Sequence, residues 1–176
     1  MTGDGDRYLI RPATEDDLDA IAAFEVEIAV VSFGDEAITD AAFHRRRVAN
    51  SLGKPGEIAL VAVDIAAASA GAPLGWAWLS GRTNSLTDER YGNFRSLAVA
   101  ENEDRGVIGE LLMTAILAAA DEAGFTHLTG KVNAANLGMR ALYRAFGFTA
   151  THLTMEKRTG KPREPQEPRE SAEPGG

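Results

Sequence analysis

The stretch from Phe94 to Gly124 constrains the fold of this chain more than any other. Phe94, Leu97 and Val99 mark a strand with substantial burial, and the polar turn Ala100-Glu101-Asn102-Glu103-Asp104 follows it. Ile108, Leu111, Leu112, Ala115, Ile116 and Ala119 then recur at the i, i+3, i+4, i+7 spacing of a long core-facing helix that stops at Gly124. A strand delivered through a tight turn into a helix leaves unpaired backbone N–H groups in the first helical turn, and with the helix dipole these suit a phosphate. The turn is neither G-x-G-x-x-G nor G-x-x-x-x-G-K-[ST], which argues against the commonest nucleotide loops.

Strand and helix patterns continue on both sides. Tyr8 to Arg11 reads as a strand closed by Pro12, and Thr14, three residues before Asp17, caps a helix. The apolar face of that helix runs through Leu18, Ile21 and Ala22, then Phe24, Ile28 and Val31 toward Phe33-Gly34. Thr39 or Asp40 caps a second helix ending near Gly53. Glu57 to Ile65 and Leu74 to Leu79 read as a β-hairpin across the small-residue stretch Ala66 to Pro73, Ser80 to Gly92 as a loop, and Leu128 to Val132 as a further strand. Trp76 and Trp78, two apart, share a face, where core packing is the simpler role and lining of an acceptor pocket the other. From Thr159 to Gly176 there is no Val, Ile, Leu, Phe, Tyr or Trp, so the segment lacks the apolar surface to offset its ordering entropy. The expected organisation is a flexible N-terminus over residues 1–7, one domain over 8–158 and a disordered Pro/Glu-rich tail over 159–176.

Composition narrows the chemistry. With no cysteine there is neither a disulfide framework nor a thiolate nucleophile, which fits a reducing cytoplasm. His44, His127 and His152 show no metal-ligand spacing, so no metal is assigned. The short acidic start and the lack of a long apolar run point to no membrane. A formal net charge of -8 opposes general nucleic-acid affinity and favours a cationic or neutral acceptor at long range. Arg45-Arg46-Arg47 is the one basic cluster and reads as a solvated helix face.

In Asn136-Leu137-Gly138-Met139-Arg140-Ala141-Leu142-Tyr143-Arg144-Ala145-Phe146-Gly147-Phe148, the residues Leu137, Ala141, Leu142, Ala145 and Phe146 recur at helical spacing. Gly147 is the helix stop, and Phe148 to Met155 alternates as a strand. By itself Tyr143 reads as a buried aromatic with its hydroxyl satisfied. The segment as a whole, however, resembles the N-x-x-(small or Met)-x-x-L-Y-x-x-x-G-F signature of the GNAT superfamily of N-acetyltransferases, and the opening from Tyr8 to Leu18 and the Leu97 to Gly124 unit are similar to that family as well.

The resemblance implies an α/β fold: a mixed, mostly antiparallel sheet of six or seven strands with helices on both faces. It implies acetyl-CoA as co-substrate, lying in an opening between the fourth and fifth strands. Leu97, Ala98 and Val99 would face the pantetheine arm and thioester, Asp104, Arg105, Gly106, Val107, Ile108 and Gly109 the pyrophosphate, and Asn136 the inner arm. Tyr143 would be the general acid and the acceptor a small-molecule or peptide amine; a homodimer is compatible with the family.

Counting back from Leu112 sets Asp104 on the family's usual Gln or Arg, Val107 on its central Gly and Gly109 on its last Gly; a shift by one residue brings Gly106 to the centre but Glu103 and Ile108 to the ends. Like charge from Asp104 beside a pyrophosphate would cost on the order of 1 kcal/mol, which Arg105 offsets in part. Where many members carry a Glu base on the fourth strand, this chain has Arg95, which cannot take up a proton at neutral pH. The base is then Asp88 or Glu89 acting through water, or the amine arrives already deprotonated in part. Arg95 itself reads as a salt-bridged surface residue or as a grip on an anionic acceptor group. The three departures together also fit a non-catalytic member of the same fold that binds CoA or a protein partner, and transfer of a longer acyl group stays open.

Overall fold

The structure, a computed structural model, describes residues 7–66, 71–152, 154–155 and 157. Strands β1 (Tyr8–Pro12), β2 (Glu57–Asp64), β3 (Gly75–Thr83), β4 (Arg90–Val99) and β5 (Leu128–Gly130) lie in that order in one sheet. The pairings from β1 to β4 are antiparallel and β4 to β5 is parallel. Four helices accompany them among the described residues: α1 (Leu18–Phe33), α2 (Ala41–Ala49), α3 (Arg105–Glu122) and α4 (Leu137–Ala145).

Each face of the sheet has its own core. On one, α3 inserts Ile108, Leu112, Met113 and Ile116, all fully buried, against Ala77, Leu79, Phe94, Leu97 and Val99. On the other, Leu18, Ile21 and Phe24 of α1 and Val48 of α2 cover Val61, Val63, Trp76 and Trp78. Strand alternation sorts the residues, with Ala77 and Leu79 under α3 and Trp76 and Trp78 under α1 and α2. This is the mixed, mostly antiparallel sheet with helices on both faces that the resemblance implies, with five strands among the described residues in place of six or seven.

Several boundaries differ from the sequence reading. Ser80 to Gly92 is mostly strand, because β3 runs on to Thr83 and β4 starts at Arg90; their polar residues occupy the exposed end of a long hairpin. The described residues of Phe148 to Met155 form no strand. Phe148 packs against Tyr143 and Phe94, whereas Met155 is exposed, so only one end of that stretch has a core to join. The β5 strand ends at Gly130, two residues short of the expected Val132. On α4 the half-buried stripe is Met139, Leu142, Tyr143 and Phe146, while Leu137 and Ala145 face outward. The tail over 159–176 lies outside the described residues, as does the N-terminal segment up to residue 6.

The turn into α1 is fixed by one buried carboxylate. Asp17 is 4% exposed; it receives the Thr14 amide at 2.8 Å and both terminal nitrogens of Arg11 at 2.7 and 2.8 Å. Burial by itself would raise its pKa, but Arg11 and Thr14 outweigh that and hold it below the usual 3.8. A depressed carboxylate stabilises the fold above its unfolded pKa and loses that contribution as pH falls through the folded value. Asp17→Asn is therefore expected to destabilise the protein by about 2–3 kcal/mol at pH 7 in urea unfolding. The gap from wild type should narrow only below pH 3.8, and a gap unchanged at lower pH would show that the Arg11 pair is not its source.

Candidate active site

β4 changes partners halfway along its length. Its first half is paired on both sides, since Gly92, Asn93 and Phe94 face Leu128, Thr129 and Gly130 of β5. There β5 ends, and Arg95–Val99 continues with only β3 beside it among the described residues. At the same point the β3 register slips: Leu79 faces Phe94 and Trp78 faces Ser96, leaving Arg95 without a counterpart, a β-bulge.

The bulge reverses the phase of the backbone. Gly92 N–H donates toward β5, to His127 O at 3.0 Å, whereas Ala100 N–H donates to Leu74 O at 2.8 Å, on the β3 side. Unbroken alternation would point both the same way. Downstream of the bulge, Ala98 therefore pairs with Trp76, while the N–H and C=O groups of Leu97 and Val99 turn to the open edge that β5 has vacated.

Three elements surround that edge. A Cβ added to Gly109 of α3 would lie 3.9 Å from both Val99 and Leu142 of α4, so the three meet there. The Asn136 side chain caps α4 by accepting from Met139 N–H at 3.0 Å, and its amide NH2 has no partner among the described residues. Tyr143 lies edge-on to Phe94 at 5.8 Å, and a Cβ on Gly130 would come within 2.6 Å of its hydroxyl oxygen. The phenol thus lies against the last residue of β5, directly across from Phe94 and next to the bulge. Burial pushes its pKa up to about 12, so the proton stays on the oxygen throughout the neutral range.

At the start of α3, Arg105 N–H reaches Asn102 O at 3.3 Å, and Gly106 and Val107 N–H have no acceptor among the described residues. Asp104 occupies the N-cap position without using its side chain as a cap. Its carboxylate points back to β1, accepting from Tyr8 Oη at 2.5 Å and from Arg7 at 3.3 Å. Arg7 also pairs with Asp64 at 2.8 Å, so the charge of Asp104 is matched from the β1 side; this arginine, grouped by sequence with a flexible terminus, is held by two carboxylates. Positive φ is not required at Gly106 or Gly109, and Val107 lies within the helix, so its β-branch meets no backbone penalty. Arg105 pairs with Glu101 one turn back.

The α1/α2 face carries polar groups at the level of the bulge that sequence reasoning missed. Glu25 of α1, 2% exposed, accepts from Trp76 Nε1 at 3.1 Å and from Arg47 of α2. Glu57 Oε2 accepts from Trp78 Nε1 and Ser80 Oγ, each at 2.6 Å. Ser96 Oγ is buried with no hydrogen-bond partner. The Trp pair is core, as the simpler reading held, but its two indole N–H groups make it the anchor for both acids. Arg47 turns inward, so the triple arginine is not the uniform solvated face expected of it; only Arg45 forms a surface pair, with Asp19 at 2.8 Å. Glu25 had left a sequence trace, an acid four residues after Ile21 on the buried stripe of α1. Glu57 had left none, because its neighbours come from β3. Asp88 and Glu89 lie in the exposed turn before Arg90, more than five strand residues or about 17 Å from Arg95, which removes them as acids close to the bulge.

The sheet thus opens beside a bulged strand, with unpaired amides of α3 near one end and the Tyr143 phenol near the other. The sequence profile of the acetyltransferase (GNAT) family matches residues 19–148, and the chain belongs to that family. Among solved structures, a Bacillus halodurans protein is similar at TM-score 0.74 and 19% identity, covering 86% of this chain and 99% of its own. A possible acetyltransferase from Clostridium difficile 630 is similar at TM-score 0.69 and 18% identity, covering 88% and 99%. An aminoglycoside acetyltransferase from an uncultured soil metagenomic sample is similar at TM-score 0.64 and 19% identity, covering 89% and 97%. No curated protein matches the chain significantly.

Close approach at Gly130 is what seats the phenol. Gly130→Ala sets a methyl 2.6 Å from the Tyr143 oxygen and 2.9 Å from its ring carbon, so the side chain must shift. If the Tyr143 hydroxyl takes part in the reaction, acetyl transfer is expected to fall at least about tenfold, because small misplacements of a reacting group are costly, with the melting temperature changed by only a few degrees. Full activity would show that the phenol position is not critical.

Proposed function

We propose that this protein transfers an acetyl group from acetyl-CoA to a primary amine by direct attack. The observation that carries the reading is the coincidence, at one opening, of the unpaired β4 edge, the free amides of α3 and the Tyr143 hydroxyl. In this reading the first turn of α3 takes the pyrophosphate on the Gly106 and Val107 amides, and the edge of β4 takes the pantetheine arm as an added strand would be taken. Asn136 offers its free amide NH2 to the inner arm. The outward N–H groups of Leu97 and Val99 are the candidates for polarising the thioester carbonyl, where fixed donors act most strongly on developing charge.

The amine nitrogen forms a bond to the carbonyl carbon and the carbon–sulfur bond breaks, giving the amide and CoA thiolate. The nitrogen must lose a proton and the sulfur must gain one. Tyr143 is the donor to sulfur, since it keeps its proton well above neutral pH. Glu57 is the acceptor from nitrogen, through water. Its Oε1 has no hydrogen-bond partner among the described residues, and its Oε2 is fixed by Trp78 and Ser80 beside the bulge. Arg95 cannot serve as this base.

Two measurements test the reading. Acetyl-CoA at about 100 times its dissociation constant should stabilise the fold by roughly 2.7 kcal/mol in thermal unfolding. No shift at millimolar acetyl-CoA would remove the donor assignment, and a shift without CoA release from any amine would leave a binding protein. Tyr143→Phe and Glu57→Gln should each lower kcat by about 10²- to 10⁴-fold while the acetyl-CoA shift is retained. The Glu57→Gln loss should shrink at alkaline pH, where the amine deprotonates unaided. Unchanged kcat in either correctly folded variant would reduce that residue to a packing role.

A further inference from the structure

Arg95 sits on the bulge of β4, with its guanidinium 5.1 Å from the centre of the Trp78 ring. It is exposed, and among the described residues it has neither a salt bridge nor a hydrogen-bonded acceptor. Arg47 approaches the same ring at 5.3 Å. Two cations on one indole repel each other, and the indole face offsets this only in part. Burial, and then the charge of Arg95, lower the proton affinity of Arg47, although a guanidinium remains charged.

The carboxylates nearby do not neutralise Arg95. Both oxygens of Glu25 are engaged by Trp76 and Arg47, and Glu57 Oε2 by Trp78 and Ser80. Apart from Glu57 Oε1, the unused capacity is mainly donor in character, with one hydroxyl that both donates and accepts. The accessible part is the fork of Arg95; behind it lie the buried Nε–H of Arg47 and the Ser96 hydroxyl, 5% exposed, both without a partner among the described residues. Ser96 adjoins Arg95 and faces Trp78 across the ladder, so these donors gather on one side of the bulge.

We propose that the acceptor is a carboxylate-bearing amine, an amino acid or a close analogue, whose carboxylate is held by Arg95 while its amine reaches the open edge of β4. This rests on the N-acetyltransferase reading above and specifies its substrate class. The net charge of -8 acts at long range, but within about 10 Å, one Debye length, the unpaired guanidinium sets the local sign. Arginine also suits a carboxylate in geometry, presenting two parallel N–H donors to its two oxygens. The unused Glu57 Oε1 on the same face gives the ammonium end of a zwitterion its counterpart.

The test compares CoA release with a panel of free amino acids and with the corresponding amino acid amides, which keep the α-amine and lose the charge. At least one free acid should exceed its amide in kcat/KM by about 10- to 100-fold, chiefly through KM, the span of a hydrogen bond to a charged group. Arg95→Gln should bring that ratio to within about threefold of one, and Arg95→Lys should restore part of it. Amides used as well as or better than the acids, or a ratio unmoved in Arg95→Gln, overturn the carboxylate proposal and leave the acetyltransferase reading intact. Failure of every free acid as an acceptor overturns it too. In that case the acetyl-CoA melting shift separately decides whether the donor assignment stands.

Discussion

The whole site depends on one irregularity of hydrogen bonding, the extra residue at Arg95. A β-strand can satisfy its backbone on two sides only while both neighbours run beside it, and β5 stops opposite Phe94. A strand continuing in unchanged phase would keep directing residues 92, 94, 96 and 98 toward the missing partner. The bulge instead returns Ser96 and Ala98 to the β3 ladder and gives the open side to Leu97 and Val99. Unpaired peptide groups at a strand edge are donors and acceptors that an added strand or an extended ligand can pair with. The same residue that frees the backbone also presents a guanidinium on the opposite face.

What holds the bulge in place is the packing on its two sides. Under α3, Phe94 and Leu97 enter the core from either side of the extra residue, so the register cannot slide without exposing one of them. On the other face Trp76 and Trp78 fill the space between the sheet and α1, and their indole N–H groups require acceptors. Glu25 and Glu57 meet that requirement, which places two carboxylates in a largely apolar layer. Once there, Glu25 needs Arg47 as its counter-ion, and the inward turn of Arg47 brings it to the ring that Arg95 also covers. The charge pattern beside the bulge thus follows from burying two tryptophans.

Much of the architecture was legible because it rests on periodicity. The α3 stripe, the Thr14 to Asp17 cap, the Asp40 cap and the β2–β3 hairpin all come from spacing within one segment; the last three are present, and the stripe holds at Ile108, Leu112 and Ile116 with Met113 and Ala120 buried in place of Ala115 and Ala119. Errors arose where the deciding partner is distant. The polar ends of β3 and β4 read as loop because their stability comes from pairing with each other, and Phe148 to Met155 read as a strand although only Phe148 finds a core. Asp104 looked like a repulsive charge beside the α3 amides because Arg7 and Tyr8, its partners, are almost a hundred residues earlier in the chain.

By itself, the sequence determined the identities that local chemistry can recognise: a Thr14-capped helix after the first strand, a buried strand leading through a turn into the α3 stripe, and a family signature around Tyr143. These depend on neighbours within a turn or two, so spacing is sufficient. The tertiary structure alone decided where β5 ends relative to β4, that Arg95 is the bulged residue, which peptide groups face the opening, and that Glu25, Glu57, Arg47 and Ser96 gather around the tryptophans. Each of those depends on register between strands or on a side chain reaching across elements, and no linear pattern carries that information.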